Sequence, residues 1–69
     1  NMQSTQTLTQ GTKVQFDYQT MKGEAKVVGI SSTLPVMGNM YILQTEAIIS
    51  DVYPYTTFVC PECYIKVQS

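Results

Sequence analysis

The chain has 69 residues, of which 43% are hydrophobic and only 13% charged, and its formal net charge is −1. That hydrophobic share excludes a disordered chain, and charged residues at about half the usual share of roughly 25% leave a surface built largely from Thr, Gln, Ser and Asn. Four scattered lysines and no arginine give no electrostatic footprint for phosphate, which argues against autonomous nucleic-acid binding.

A single domain of this size buries only roughly 60% of the surface its unfolded chain exposes and is marginal alone. No apolar stretch approaches the roughly 18 residues of a spanning helix, and the first residues lack the charged and hydrophobic regions of a signal peptide. The expectation is a cytoplasmic protein without a membrane segment, with Met2 as its natural start.

Residues 1–10 hold mostly Thr, Gln and Ser, with Leu8 as the one aliphatic anchor beyond Met2, and read as a flexible tail. Gly11 marks entry to the ordered domain, residues 11–69. From Lys13 to Tyr18 polar and apolar residues alternate strictly, placing Val14, Phe16 and Tyr18 on one face and Lys13, Gln15 and Asp17 on the other, the pattern of a half-buried strand. A turn is expected at Lys22-Gly23, followed by a second strand over Glu24–Ile30. Because Val27 and Val28 are adjacent and apolar, either a bulge falls near Gly29 or both faces of this strand are covered.

Residues 31–39, with Pro35 and Gly38, read as a loop, and 40–45 as the next strand. In residues 46–53, Ile48, Ile49 and Val52 would share a helical face, yet the stretch also fits a short strand, which is slightly favoured. Tyr53-Pro54-Tyr55 breaks it, Thr56 to Cys60 is extended again, Pro61 stops that run, and Tyr64 to Val67 forms a last strand. Short strands in so small a chain bury a core most simply as a strongly bent antiparallel barrel, which leaves no exposed edge.

Two resemblances attach to this pattern. Gly11-Thr12-Lys13-Val14-Gln15-Phe16, followed by Lys22-Gly23 and Val28, resembles the KOW motif of ribosomal proteins and transcription elongation factors, with Gln19 and Lys26 standing where that motif has glycines. Cys60-Pro61-Glu62-Cys63-Tyr64-Ile65 is similar to the closing segment of SH3 domains, in which a proline begins a 3₁₀ turn and a tyrosine opens the last strand. Phe16-Asp17-Tyr18 is similar to the opening of that family. Both imply an all-β fold, a five-stranded SH3-like antiparallel barrel. The SH3 resemblance further implies a peptide groove involving Tyr18, Pro61 and Tyr64.

The residues themselves offer few sites. Cys60 and Cys63 have the spacing to hold one side of a zinc ion, but with no histidine and no other cysteine only a homodimer pooling two pairs, or a partner's ligands, could complete four. Redox chemistry and two small hydrophobes beside the core are the other readings of that pair. Tyr53 and Tyr55, held apart by Pro54, are candidate protein-binding anchors. Leu34, Val36, Met37 and Met40 place apolar groups in and beside one loop, which would either contact a partner or seal the barrel.

No acid/base pairing and no phosphate-cradling loop stands out. The sequence therefore points to a non-enzymatic, cofactor-free interaction module that contacts another protein through Tyr53, Tyr55, Leu34, Met37, Met40, Tyr18 and Tyr64. Its style is that of phage-encoded proteins that bind or inhibit host machinery. An RNA-associated KOW-like module within a larger complex is the alternative.

Overall fold

The computed structural model describes residues 7–68. Five antiparallel strands form one sheet: β1 (Lys13–Tyr18), β2 (Met21–Leu34), β3 (Gly38–Gln44), β4 (Thr57–Pro61) and β5 (Ile65–Val67), with a 3₁₀ turn at Glu62–Tyr64 between the last two. The order across the sheet is β4-β3-β2-β1-β5. The chain is thus all-β, as expected, but the ladder ends at β4 and β5 and does not close into a barrel.

These two edges tolerate being open. β5 has three residues, too few to template another chain. On β4 the Thr45 N–H donates to the Thr56 carbonyl at 2.8 Å, so antiparallel alternation turns the backbone groups of Thr57, Val59 and Pro61 outward. Pro61 has no N–H to offer, and the Tyr53 hydroxyl donates to the Thr57 carbonyl at 2.7 Å.

β1 is the alternating strand the sequence predicts, with Val14 and Phe16 buried and Lys13, Gln15 and Asp17 exposed. Its hairpin to β2 corrects the expected Lys22-Gly23 turn: Tyr18 pairs with Met21, while Lys22 and Gly23 lie inside β2 opposite Asp17 and Phe16. The loop is Gln19-Thr20, and Gln19 takes φ 60°. A positive φ at the first central residue of a two-residue hairpin is a glycine position, the same place at which the KOW resemblance lacks its glycine. Gln19→Gly is expected to raise stability by about 0.5–1 kcal/mol by relieving left-handed strain, read as a higher urea midpoint with an unchanged slope.

The second correction concerns residues 31–39, which are mostly strand: Ser31 to Leu34 continue β2, and only Pro35 to Met37 turn. The register slips between Val27 and Gly29, and again between Ile30 and Ser32. Two bulges thus interrupt alternation, one at the anticipated place beside Gly29. Beyond Val27, β2 pairs with β3 alone, so this hairpin projects from the sheet.

Residues 46–53 correct a third expectation, for they form no regular element. Local bonds compete with strand pairing there: the Thr45 hydroxyl donates to the Ala47 carbonyl at 2.7 Å and the Val52 N–H donates to the Ser50 hydroxyl at 3.1 Å.

The core lies on one face of the sheet. Val14, Phe16, Met21, Ala25, Val27, Tyr41, Leu43, Phe58 and Cys60 are buried there, and Leu8, Tyr18, Tyr53 and Ile65 pack against them. Leu8 is tied further by its N–H, which donates to the Tyr41 hydroxyl at 2.9 Å. Residues 1–6 of the expected tail fall outside the described residues.

Candidate functional site

Strand pairing places side chains in rows, because directly opposed residues share a face. Val27, Leu43 and Phe58 form one buried row. The next row along these strands emerges on the opposite, outer face: Ile42 of β3 is opposed by Val59 of β4 and by the bulged Val28-Gly29 of β2. Val28 is 36% and Val59 41% exposed, with Ile42 half-buried between them. Further toward the turn, Met40 lies opposite Ser32 and Leu34 opposite Gly38, on the same outer face. An apolar strip therefore crosses β2, β3 and β4 on the side away from the core.

The strip runs into the projecting hairpin, where Val36 is 93% and Met37 46% exposed. The hairpin is held from below by the 3₁₀ turn. A carboxylate oxygen of Glu62 accepts the Asn39 N–H at 2.6 Å. Gly38 supplies the φ of 80° that brings its backbone there. Along the inner side of the hairpin, the Thr33 hydroxyl donates to Asn39 Oδ1 at 2.7 Å, and Asn39 Nδ2 donates to the Tyr41 hydroxyl at 3.1 Å. Polar groups thus satisfy one side of the hairpin and apolar groups line the other.

The residues singled out in sequence fall into three groups. Leu34, Met37 and Met40 belong to the apolar strip and its tip. Tyr18 and Tyr64 stack at 4.9 Å between ring centroids, beside the 3₁₀ turn. Tyr53 and Tyr55 meet edge-on at 5.1 Å, and Tyr53 continues to Phe58 at 6.4 Å. Tyr53 is therefore partly a core and edge residue, whereas Tyr55 is exposed. Among the described residues, ring contacts do not join one tyrosine pair to the other. Val28, Ile42 and Val59 were missed by sequence reasoning. Their signal was present in the uninterrupted apolar runs Val27-Val28, Tyr41-Ile42-Leu43 and Phe58-Val59-Cys60, since a strand with apolar groups on both faces reads as a continuous run.

The two cysteines have different surroundings. Cys60 is buried in the core, its thiol donating to the Pro61 carbonyl at 3.5 Å, while Cys63 is exposed, and both are free thiols. Burial pushes the Cys60 thiol up from 9.0 to about 11, and the neighbouring Cys63 adds to the rise. Among the described residues no group of three or more Cys, Asp, Glu or His could hold a metal ion. One thiol is expected to react with a disulfide reagent in the native protein and two in denaturant. Because the folded protein keeps the Cys60 proton that the unfolded chain releases, this group's contribution to stability is intact below pH 9 and lost as pH rises toward 11.

No family model, no curated protein and no solved structure matches this chain. Among the described residues no helix is long and apolar enough to cross a membrane.

Proposed function

We propose that the chain is a non-enzymatic protein-interaction module on an SH3-like fold, docking through the outer face of β2, β3 and β4. The observation that carries this reading is the row Val28, Ile42 and Val59, with Leu34 and Met40 beside it, on the sheet face away from the core, where Val28, Leu34 and Val59 are exposed. Apolar side chains gathered into one patch, not scattered singly, mark interaction surfaces, and flexible methionines let such a surface adapt to its partner. The SH3-like part of the reading is supported by the strand order and by the 3₁₀ turn that Pro61 opens between the last two strands.

The test is affinity capture from a cell extract with the wild-type chain and with the double variant Ile42→Thr/Val59→Thr, which keeps β-branched residues at both positions. The variant is expected to keep its circular-dichroism spectrum and to lose proteins that the wild type retains. An unchanged set of captured proteins overturns the proposal. If a mobility shift with RNA instead depends steeply on salt, the RNA-associated reading replaces it.

A further inference from the structure

At its outer end the projecting hairpin is a ribbon of two strands. β3 pairs with β4 only as far as Met40–Pro61, so Thr33–Asn39 and Leu34–Gly38 pair with each other alone. A two-stranded hairpin by itself is marginal in water. Among the described residues, the side-chain bonds that tie this arm, residues 33–39, to the rest of the chain both end on Asn39. Its N–H donates to Glu62 Oε1 at 2.6 Å, and its Nδ2 donates to the Tyr41 hydroxyl at 3.1 Å. Within the arm, the Thr33 hydroxyl donates to Asn39 Oδ1 at 2.7 Å and fixes the other side of the same amide.

The Tyr41 hydroxyl takes a second donor from the other end of the chain. The N-terminal segment turns back at Thr9–Thr12, where the Thr12 N–H donates to the Thr9 carbonyl at 3.2 Å and Gly11 takes φ 92°, a conformation open to glycine. The Gly11 N–H fastens this turn to the Val27 carbonyl at 2.8 Å. Leu8 is thereby returned to the core, where its side chain packs and its N–H donates to the Tyr41 hydroxyl at 2.9 Å. Tyr41 is only 1% exposed, so its hydroxyl is shielded from water. A phenol oxygen accepts two hydrogen bonds. Here one comes from the N-terminal segment and the other from the arm.

We infer that residues 8–12 are a strap that latches the hairpin arm, with the Tyr41 hydroxyl as the joint between them. While Leu8 is seated, Asn39 Nδ2 has no competitor for the phenol oxygen. Once Leu8 leaves, water fills the vacated position and competes for the other, so the Asn39 side chain loosens and the arm keeps only its bond to Glu62. Hydrogen bonds linked in a chain away from water also strengthen one another. Because a coupling free energy is reciprocal, the dependence runs both ways. The arm carries Leu34, Val36 and Met37, so an event that draws Leu8 off the core slackens the presentation of these side chains. This coupling is a property of the fold, independent of any partner.

Amide hydrogen exchange followed by NMR on the full chain tests the latch, with the β1 amides reporting global opening. Leu8→Ala removes the anchor of the strap and leaves its N–H in place. It is expected to speed exchange at Asn39 by about three- to tenfold more than at β1, the range set by one hydrogen bond. In the reverse direction, Glu62→Ala loosens the arm from its far side and is expected to speed exchange at the Leu8 amide by a similar factor. Tyr41→Phe removes the joint. In that background Leu8→Ala should add nothing at Asn39, and Glu62→Ala nothing at Leu8. Exchange at Asn39 unchanged relative to β1 in Leu8→Ala, or at Leu8 in Glu62→Ala, overturns the latch, as does transmission that persists in Tyr41→Phe. Should Tyr41→Phe fail to fold, Thr33→Val takes its place. Losing the exposed Thr33 hydroxyl frees Asn39 Oδ1 and should speed exchange at Leu8, and no change there overturns the latch.

Discussion

Leu43→Ala is expected to remove a large share of the protein's stability, whereas Ile42→Ser, one residue earlier, is expected to leave it nearly intact and to weaken binding at the proposed docking face. Leu43 is fully buried on the core side of β3, between Val27 and Phe58. Truncating such a leucine costs about 2–5 kcal/mol, from lost transfer energy and the cavity left behind. A domain of this length has a total stability of only about 3–10 kcal/mol at roughly 0.05–0.15 kcal/mol per residue, so the loss is a large share of it. Ile42 faces the opposite way and is half-buried, so the serine there should cost under about 1.5 kcal/mol. Urea titration of the two variants, followed by circular dichroism, checks the pair. Equal destabilisation at both positions would mean that the outer face is a second core, not a surface.

Gly38→Ala is expected to cost about 3 kcal/mol, an unusual amount for adding one methyl group beside a turn. Two effects combine at this site. The residue holds φ 80°, where a side chain costs about 1–2 kcal/mol. An added Cβ would also sit 2.7 Å from Glu62 Oε1 and 2.8 Å from its Cδ. The carboxylate must then withdraw from the Asn39 N–H that it accepts at 2.6 Å, a charge-assisted bond worth about 1.5–3 kcal/mol. A double-mutant cycle separates the two effects. With Glu62 already replaced by alanine, Gly38→Ala should cost only the backbone part, so the two losses fall short of additive. Full additivity would show that Glu62 does not hold the hairpin.

How much of this could be read from the residues varies by element. β1 was legible to the residue because Lys13 to Tyr18 alternate without a slip and the core lies on one side only. The first turn was not, because Gln19, not a glycine, carries the positive φ, and nothing in a Gln-Thr pair announces a hairpin. That error propagates: a turn centred on Lys22-Gly23 would have set Lys13 opposite Ser32, whereas the observed register sets it opposite Lys26. The distal half of β2 was hidden because Ser31, Ser32 and Thr33 look like a loop, and two bulges remove the period by which a strand is recognised. In the candidate site, Leu34, Met37 and Met40 stood out as apolar residues in polar company. Ile42 and Val59 did not, because the buried neighbours on either side of each made them look like core.

The short link between the last two strands also sets the shape of everything above it. β4 and β5 lie at opposite margins of the sheet, yet only the Glu62–Tyr64 turn separates them in the chain. From Pro61 to Ile65 the backbone makes four steps and reaches at most about 14 Å, whereas four strand spacings laid flat measure about 19 Å. A planar sheet cannot satisfy that tether, so its two rims must bend toward each other where the turn joins them. The three-residue link thus acts as a drawstring, and lengthening it would slacken the curvature that presents the outer face.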